Sequence, residues 1–197
     1  AGHSVTITDA MPTVGRKFLM AGKSGLNLTK AEDFGTFQTA YGASKAILKP
    51  ILSAFGPDDV SAWAQGLGPT VFTGTTGRVF PTKMKSSPLL RAWLARLTEQ
   101  SVIIQTRWRW TGWTKDDTGD VAMFDTPDGP ATISAKTTIL AMGGASWKRL
   151  GSDGQWAGHL LDAVAPFQPA NVGFTVPWSA HMTQHLGTAV KGWNTVT

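Results

Sequence analysis

The apolar positions of this chain change period several times, and each change predicts an element. Residues 5–8, "VTIT", form a short β-branched run that reads as a strand ending at Asp9. The following stretch, 10–29, carries Pro12, Gly15, Gly22 and Gly25 and reads as a loop. Helical segments are expected near 31–40 and 44–54. A third should start after Pro57, where Asp58 can cap and Val60, Trp63, Ala64 and Leu67 form one apolar stripe. The turn-rich "GTTGRVFPTKMKSS" reads as a connector into the clearest helix. There Ser87 is the expected N-cap, Pro88 takes the first helical position, and Leu89, Leu90, Trp93, Leu94 and Leu97 recur at core spacing.

Beyond that helix, 102–106 reads as a buried strand. Three strand-like runs near 107–113, 121–125 and 131–134, separated by "TKDDTGD" and "TPDG", predict an antiparallel meander. The apolar run "TTILAM", 137–142, predicts one more strand feeding directly into Gly143-Gly144. A second glycine turn, "GSDG" at 151–154, should precede a helix near 155–163. Glycine directly after a strand lets backbone approach a ligand, because no Cβ intervenes.

Composition narrows the classes. With 197 residues, 42% hydrophobic and 16% charged, the chain is a globular protein of one domain or slightly more. No apolar run approaches the roughly 20 residues of a membrane span, and the opening "AGHSVTITDA" lacks a signal-peptide pattern, so a cytoplasmic location is expected. The absence of cysteine excludes disulfides, thiolate metal sites and thiol redox chemistry. A net charge of +5 and nine tryptophans raise the question of nucleic acid, most pointedly at "RWRWTGW". There Arg107 and Arg109 alternate with Trp108 and Trp110. The same alternation describes a half-buried strand with indoles inward and guanidinium groups in water, and the other charges are scattered, so nucleic-acid binding is disfavoured.

The candidate chemistry begins at Gly22-Lys23-Ser24, which matches the end of a phosphate-binding loop. The glycine required five residues earlier is replaced by Lys17, and no strand runs into the motif, so a nucleotide-hydrolase loop is not expected. A Gly-x-Ser-x-Gly elbow is absent, since Leu26 stands two residues after Ser24. His181 and His185, four apart, lack a third ligand and an intervening glutamate, and no metal is expected. His159 reads as a helix residue rather than a base. Asp9 has two readings: a turn former at a strand end, or the carboxylate that accepts ribose hydroxyls in a dinucleotide-binding fold.

Four ordered stretches, "VGRKFLMAGKSGLNLT", "GRVFPTKMKSSPLLRAWL", "LAMGGASWKRLGSDG" and "PANVGF", together resemble the bacterial YhiN/BaiN-like family of FAD-dependent oxidoreductases, over essentially the whole chain. The resemblance implies an α/β fold: an incomplete Rossmann-like, glutathione-reductase-like FAD-binding domain, with a three-stranded antiparallel meander and the start of a β-rich substrate domain. The FAD-binding part would cover 1–170, with a helical insertion at 31–100 and the meander at 107–135, and the substrate domain would begin at 171. On the family's pattern the first strand and its G-x-G-x-x-G turn would precede residue 1, leaving a sheet edge open to self-association.

By the same resemblance Asp9 would hold the ribose, while Arg16 and Lys17 would lie near ribose and pyrophosphate. Gly22, Lys23, Ser24, Gly25, Asn27 and Thr29 would pass beside the isoalloxazine. Trp108 would offer backbone to the adenine, Ala141, Gly143 and Gly144 would line the middle of the cofactor, and Gly151, Asp153 and Gly154 would approach its flavin end. The implied cofactor is FAD, with NAD(P)H as electron donor and an unidentified small molecule as substrate. No catalytic residue is implied. The alternative is a non-enzymatic remnant binding polyanions weakly through its basic tryptophan strand. Ser24, Gly25, Leu26 and Met142 depart from the family pattern, which bears on the flavin's immediate contacts.

Overall fold

The computed structural model describes residues 2–21, 25–117, 119–160, 163–168 and 179–185. The chain divides into two units, Ala1–Val164 and Ala165–Thr197. In the first, strand β1 (Thr6–Asp9) pairs in parallel with β5 (Ile103–Thr106), from Thr6 opposite Ile103 to Asp9 opposite Thr106. The two strands stay joined past their ends. Trp108 N–H donates to the Asp9 carbonyl at 3.0 Å, and Arg107 N–H donates to that of Met11 at 3.1 Å. A parallel pair normally has both faces covered, but among the described residues this sheet has two strands only, so Ile103 is 50% exposed where a buried strand was expected.

The stretch read as loop, 10–29, is not all loop. Helix α1 (Arg16–Ala21) starts from the turn at Gly15, whose carbonyl accepts from Leu19 N–H at 2.9 Å, and β2 (Thr29–Lys30) closes the segment. Six residues are too few to show a helical period. Next come α2 (Phe34–Thr39), α3 (Lys45–Ala54) and α4 (Pro57–Gly66). Asp33 caps α2 by accepting from Thr36 N–H at 2.9 Å. For α4 the cap differs from expectation. Gly56 is the N-cap, and its N–H donates to Asp59 at 2.8 Å, because a side chain at the third helical position reaches back over the helix start.

The connector expected after α4 is a hairpin. Strands β3 (Val71–Thr73) and β4 (Arg78–Pro81) are antiparallel, and β2 joins the other edge of β4, with Thr29 opposite Val79. Helix α5 (Ser86–Glu99) begins two residues earlier than expected, with Lys85 as N-cap and Pro88 inside the first turn. Ser86 is buried and its hydroxyl donates to the Leu19 carbonyl, tying the helix start to α1. The stripes of α4 and α5 both enter the core, and they meet there. Ala64, Leu67 and Leu89 are buried with Leu26, and the Trp63 and Trp93 rings pack edge to face with centroids 5.0 Å apart.

The meander forms from β6 (Arg109–Asp116), β7 (Gly119–Thr126) and β8 (Gly129–Ser134), with a bulge between Trp110 and Gly112. Trp110 is buried with Ala122 and Phe124, and Trp108 packs 5.5 Å from the Phe124 ring, so the strand turns its indoles inward. The run 137–142 forms no strand, and Ile139 is 85% exposed. An unbroken apolar run becomes a strand only when a neighbour takes its backbone hydrogen bonds. The helix expected over 155–163 is reduced to a 3-10 segment, Gln155–His159.

Within the second unit the structure describes a 3-10 turn, Ala180–His185, beside Ser179, whose hydroxyl lies 3.0 Å from His181 Nδ1. The side chain of His185 lies outside the described residues, as does most of the expected substrate-domain start. No group of three or more His, Asp or Glu among the described residues could hold a metal, and no described helix is long and apolar enough to cross a membrane.

Candidate functional site

The carboxyl ends of β1 and β5 open onto a cavity of about 470 Å³, closed on its other sides by α1, the start of β6 and the segment from Ala141 to His159. Its position follows from topology. In α/β sheets the loops leave the strands at their carboxyl ends, and the crevice among those loops is where ligands bind. Eight of the sequence-predicted residues line it: Asp9, Arg16, Lys17, Trp108, Ala141, Gly143, Gly151 and Asp153.

Each is placed by a local device. Asp9 ends β1 and its Oδ1 accepts from Met11 N–H at 2.8 Å, so the carboxylate shapes the turn at a residue that lines the cavity. The turn-forming reading of Asp9 is thus observed directly. Arg16 and Lys17 occupy the first turn of α1. The Lys17 ammonium donates to the hydroxyls of Ser146 (3.1 Å) and Ser152 (3.0 Å), and Ser152 in turn donates to the Gly144 carbonyl at 2.6 Å. Across the cavity Arg109 reaches Asp153 at 3.5 Å, and Asp153 also accepts from Gln155 N–H at 3.1 Å. Gly151 has φ +94° and faces Met11 so closely that a Cβ there would lie 2.6 Å from Met11 Cγ. Only glycine combines that backbone angle with that approach.

The remaining expected residues are elsewhere. Gly144 and Gly154 adjoin the cavity segment in sequence without lining the cavity. Gly25 lies against Met84 and Phe80, Leu28 N–H donates to the Val79 carbonyl at 2.9 Å, and Thr29 pairs with Val79, so 25–29 including Asn27 runs along β4. Gly22, Lys23 and Ser24 lie outside the described residues. Sequence reading overlooked Gly15, Arg109, Ser152 and His159 as lining residues. Two signals were available: Ser152 sits inside the "GSDG" turn already singled out, and Arg109 is the outward member of the Arg/Trp alternation. For His159, set edge-on to Trp110 at 5.1 Å, no local signal exists.

Chemically the cavity joins three cations, Arg16, Lys17 and Arg109, with two carboxylates, Asp9 and Asp153. Its volume is within the roughly 300–1,000 Å³ of small-molecule and cofactor sites. A dinucleotide asks for a carboxylate against ribose hydroxyls, cations against phosphates, and side-chain-free backbone where its middle passes. All three are present, and the residues fit that group. The basic strand, by contrast, has placed Trp110 in the core and engaged Arg109 with Asp153.

A family model described as the HI0933-like protein Rossmann domain matches residues 1–166. A search of curated proteins finds no match. With a Rossmann-type match over most of its length and a parallel pair opening onto this cavity, the chain belongs to the HI0933-like family, the YhiN/BaiN-like FAD-dependent oxidoreductases.

Proposed function

We propose that the cavity at the ends of β1 and β5 holds the adenosine diphosphate portion of FAD, in an oxidoreductase that passes electrons from a nicotinamide cofactor to a small organic substrate. The observation that carries this reading is the placement of Asp9. Its carboxylate stands at the carboxyl end of a parallel strand, in one cavity with Lys17, Arg16 and the glycine positions 143 and 151. Asp9 accepts the ribose hydroxyls, Arg16 and Lys17 offset phosphate charge, and Gly143 and Gly151 let the cofactor's middle lie against backbone. Flavin, when bound, supplies the hydride and electron chemistry, and the protein's share is binding, orientation and electrostatics. The segment 25–29, which runs along β4 and does not line this cavity, is assigned to the isoalloxazine side.

The test is retention of cofactor. The purified chain, incubated with FAD and desalted, should keep absorbance near about 370 and 450 nm, the bands of oxidised flavin. A colourless protein whose melting temperature ignores excess FAD would remove this reading. Salt-sensitive retention on DNA by that same colourless protein would favour the polyanion-binding alternative.

A further inference from the structure

Ser152 is one of few buried polar side chains among the described residues, at 5% exposure, and it sits at the centre of a three-part contact. Its hydroxyl donates its one proton to the Gly144 carbonyl at 2.6 Å, which leaves only lone pairs for Lys17, and the Lys17 ammonium donates to them at 3.0 Å. Ser146 accepts a second Lys17 proton at 3.1 Å. Lys17 has no carboxylate within ion-pair distance among the described residues, in contrast to Arg109, which has Asp153. A lysine tethered only by neutral oxygens has no carboxylate beside it to offset its charge and has one N–H left for a ligand. Both Lys17 and Ser152 line the cavity.

We infer that Ser152 is a positioning residue for an anion: through its two hydrogen bonds it fixes Lys17 and the Gly143–Gly144 backbone together, so that the ammonium meets a phosphate of the bound ligand. This inference rests on the dinucleotide reading of the same cavity and adds to it the element that aims the cation. Because Gly144 and Ser152 belong to separate turns, the serine also sets the distance between the two glycine-bearing walls. The ligand class it selects is a phosphorylated nucleoside over its unphosphorylated counterpart.

The experiment measures binding of ADP and of adenosine to the full chain and to Ser152→Ala, Lys17→Met and the double variant. Ser152→Ala should weaken ADP by about tenfold and leave adenosine within about twofold, the scale of one hydrogen bond to a charged group. In the double variant ADP should bind as it does to Lys17→Met alone, because without the ammonium the serine has nothing to aim. Losses that multiply independently, or an ADP affinity unchanged by Lys17→Met, would overturn the inference. If Ser152→Ala loses its cooperative melt, Ser146→Ala replaces it, with a smaller ADP loss that must vanish in the Lys17→Met background. FAD retention on the same samples separates the two readings. FAD kept by the parent with ADP indifferent to every variant sinks the serine's role alone, and the expected ADP coupling without FAD retention sinks the flavin reading alone. A parent that binds neither overturns both.

Discussion

Gly151 and Met11 stand so close that a single carbon added to the glycine would lie 2.6 Å from Met11 Cγ and 3.1 Å from its Sδ. Gly151 also has φ +94°, a conformation that costs an L-residue about 1–2 kcal/mol. Gly151→Ala should therefore destabilise the fold by about 2–4 kcal/mol, strain and overpacking together. Trimming the partner with Met11→Ala in the same chain should recover only the packing part, because backbone strain remains. Denaturant unfolding of the two variants checks this, and a neutral Gly151→Ala would show that Gly151 and Met11 do not meet.

Asp9 separates into a structural oxygen and a ligand-facing charge. Asp9→Asn keeps an acceptor for Met11 N–H, now at 2.8 Å, and should unfold within about 0.5 kcal/mol of the parent while holding FAD at least about tenfold more weakly. Asp9→Ala should show the same loss of cofactor and an added destabilisation of about 1 kcal/mol from the lost turn bond. Titration of FAD fluorescence alongside urea melts distinguishes them. Equal FAD affinity in all three proteins would take Asp9 out of the site.

Two neighbouring acids at the start of α4 have unequal roles. Asp59 accepts from Gly56 N–H at 2.8 Å, whereas Asp58 shares only the general attraction of a carboxylate for a helix start. Asp59→Ala should cost about 1 kcal/mol and Asp58→Ala no more than about 0.5 kcal/mol. The reverse order in thermal unfolding would restore Asp58 as the cap.

Trp110 carries a buried indole N–H with no hydrogen-bond partner among the described residues. Phenylalanine there removes the unpaired donor and leaves a small void, two effects of about 1–3 and about 1 kcal/mol that oppose each other. Trp110→Phe should stay within about 1 kcal/mol of the parent or exceed it, whereas Trp110→Ala should lose about 3–5 kcal/mol. Calorimetric melts of the two variants read the difference.

The amino-acid order by itself determined the elements whose signal is local. The stripes Val60, Trp63, Ala64, Leu67 and Leu89, Leu90, Trp93 announce helices because every fourth residue returns to one face. The turns around Asp120 and Asp128 announce the meander because strand alternation stops there. Asp9, Gly143 and Gly151 were visible as candidates for the same reason, each sitting where a period breaks. Tertiary structure alone decided the rest. Thr29 finds Val79 across three helices, so that sheet has no local signature, and "TTILAM" has the hydrophobicity of a strand without a neighbour to bond it. The site divides in the same way: residue types suited to a dinucleotide can be read along the chain, but whether Lys17 meets Ser152 or Gly25 meets Met84 depends on contacts between distant segments. Those contacts form only when the collapsed chain has paid the entropy of bringing the segments together, and no window of neighbouring residues contains that information.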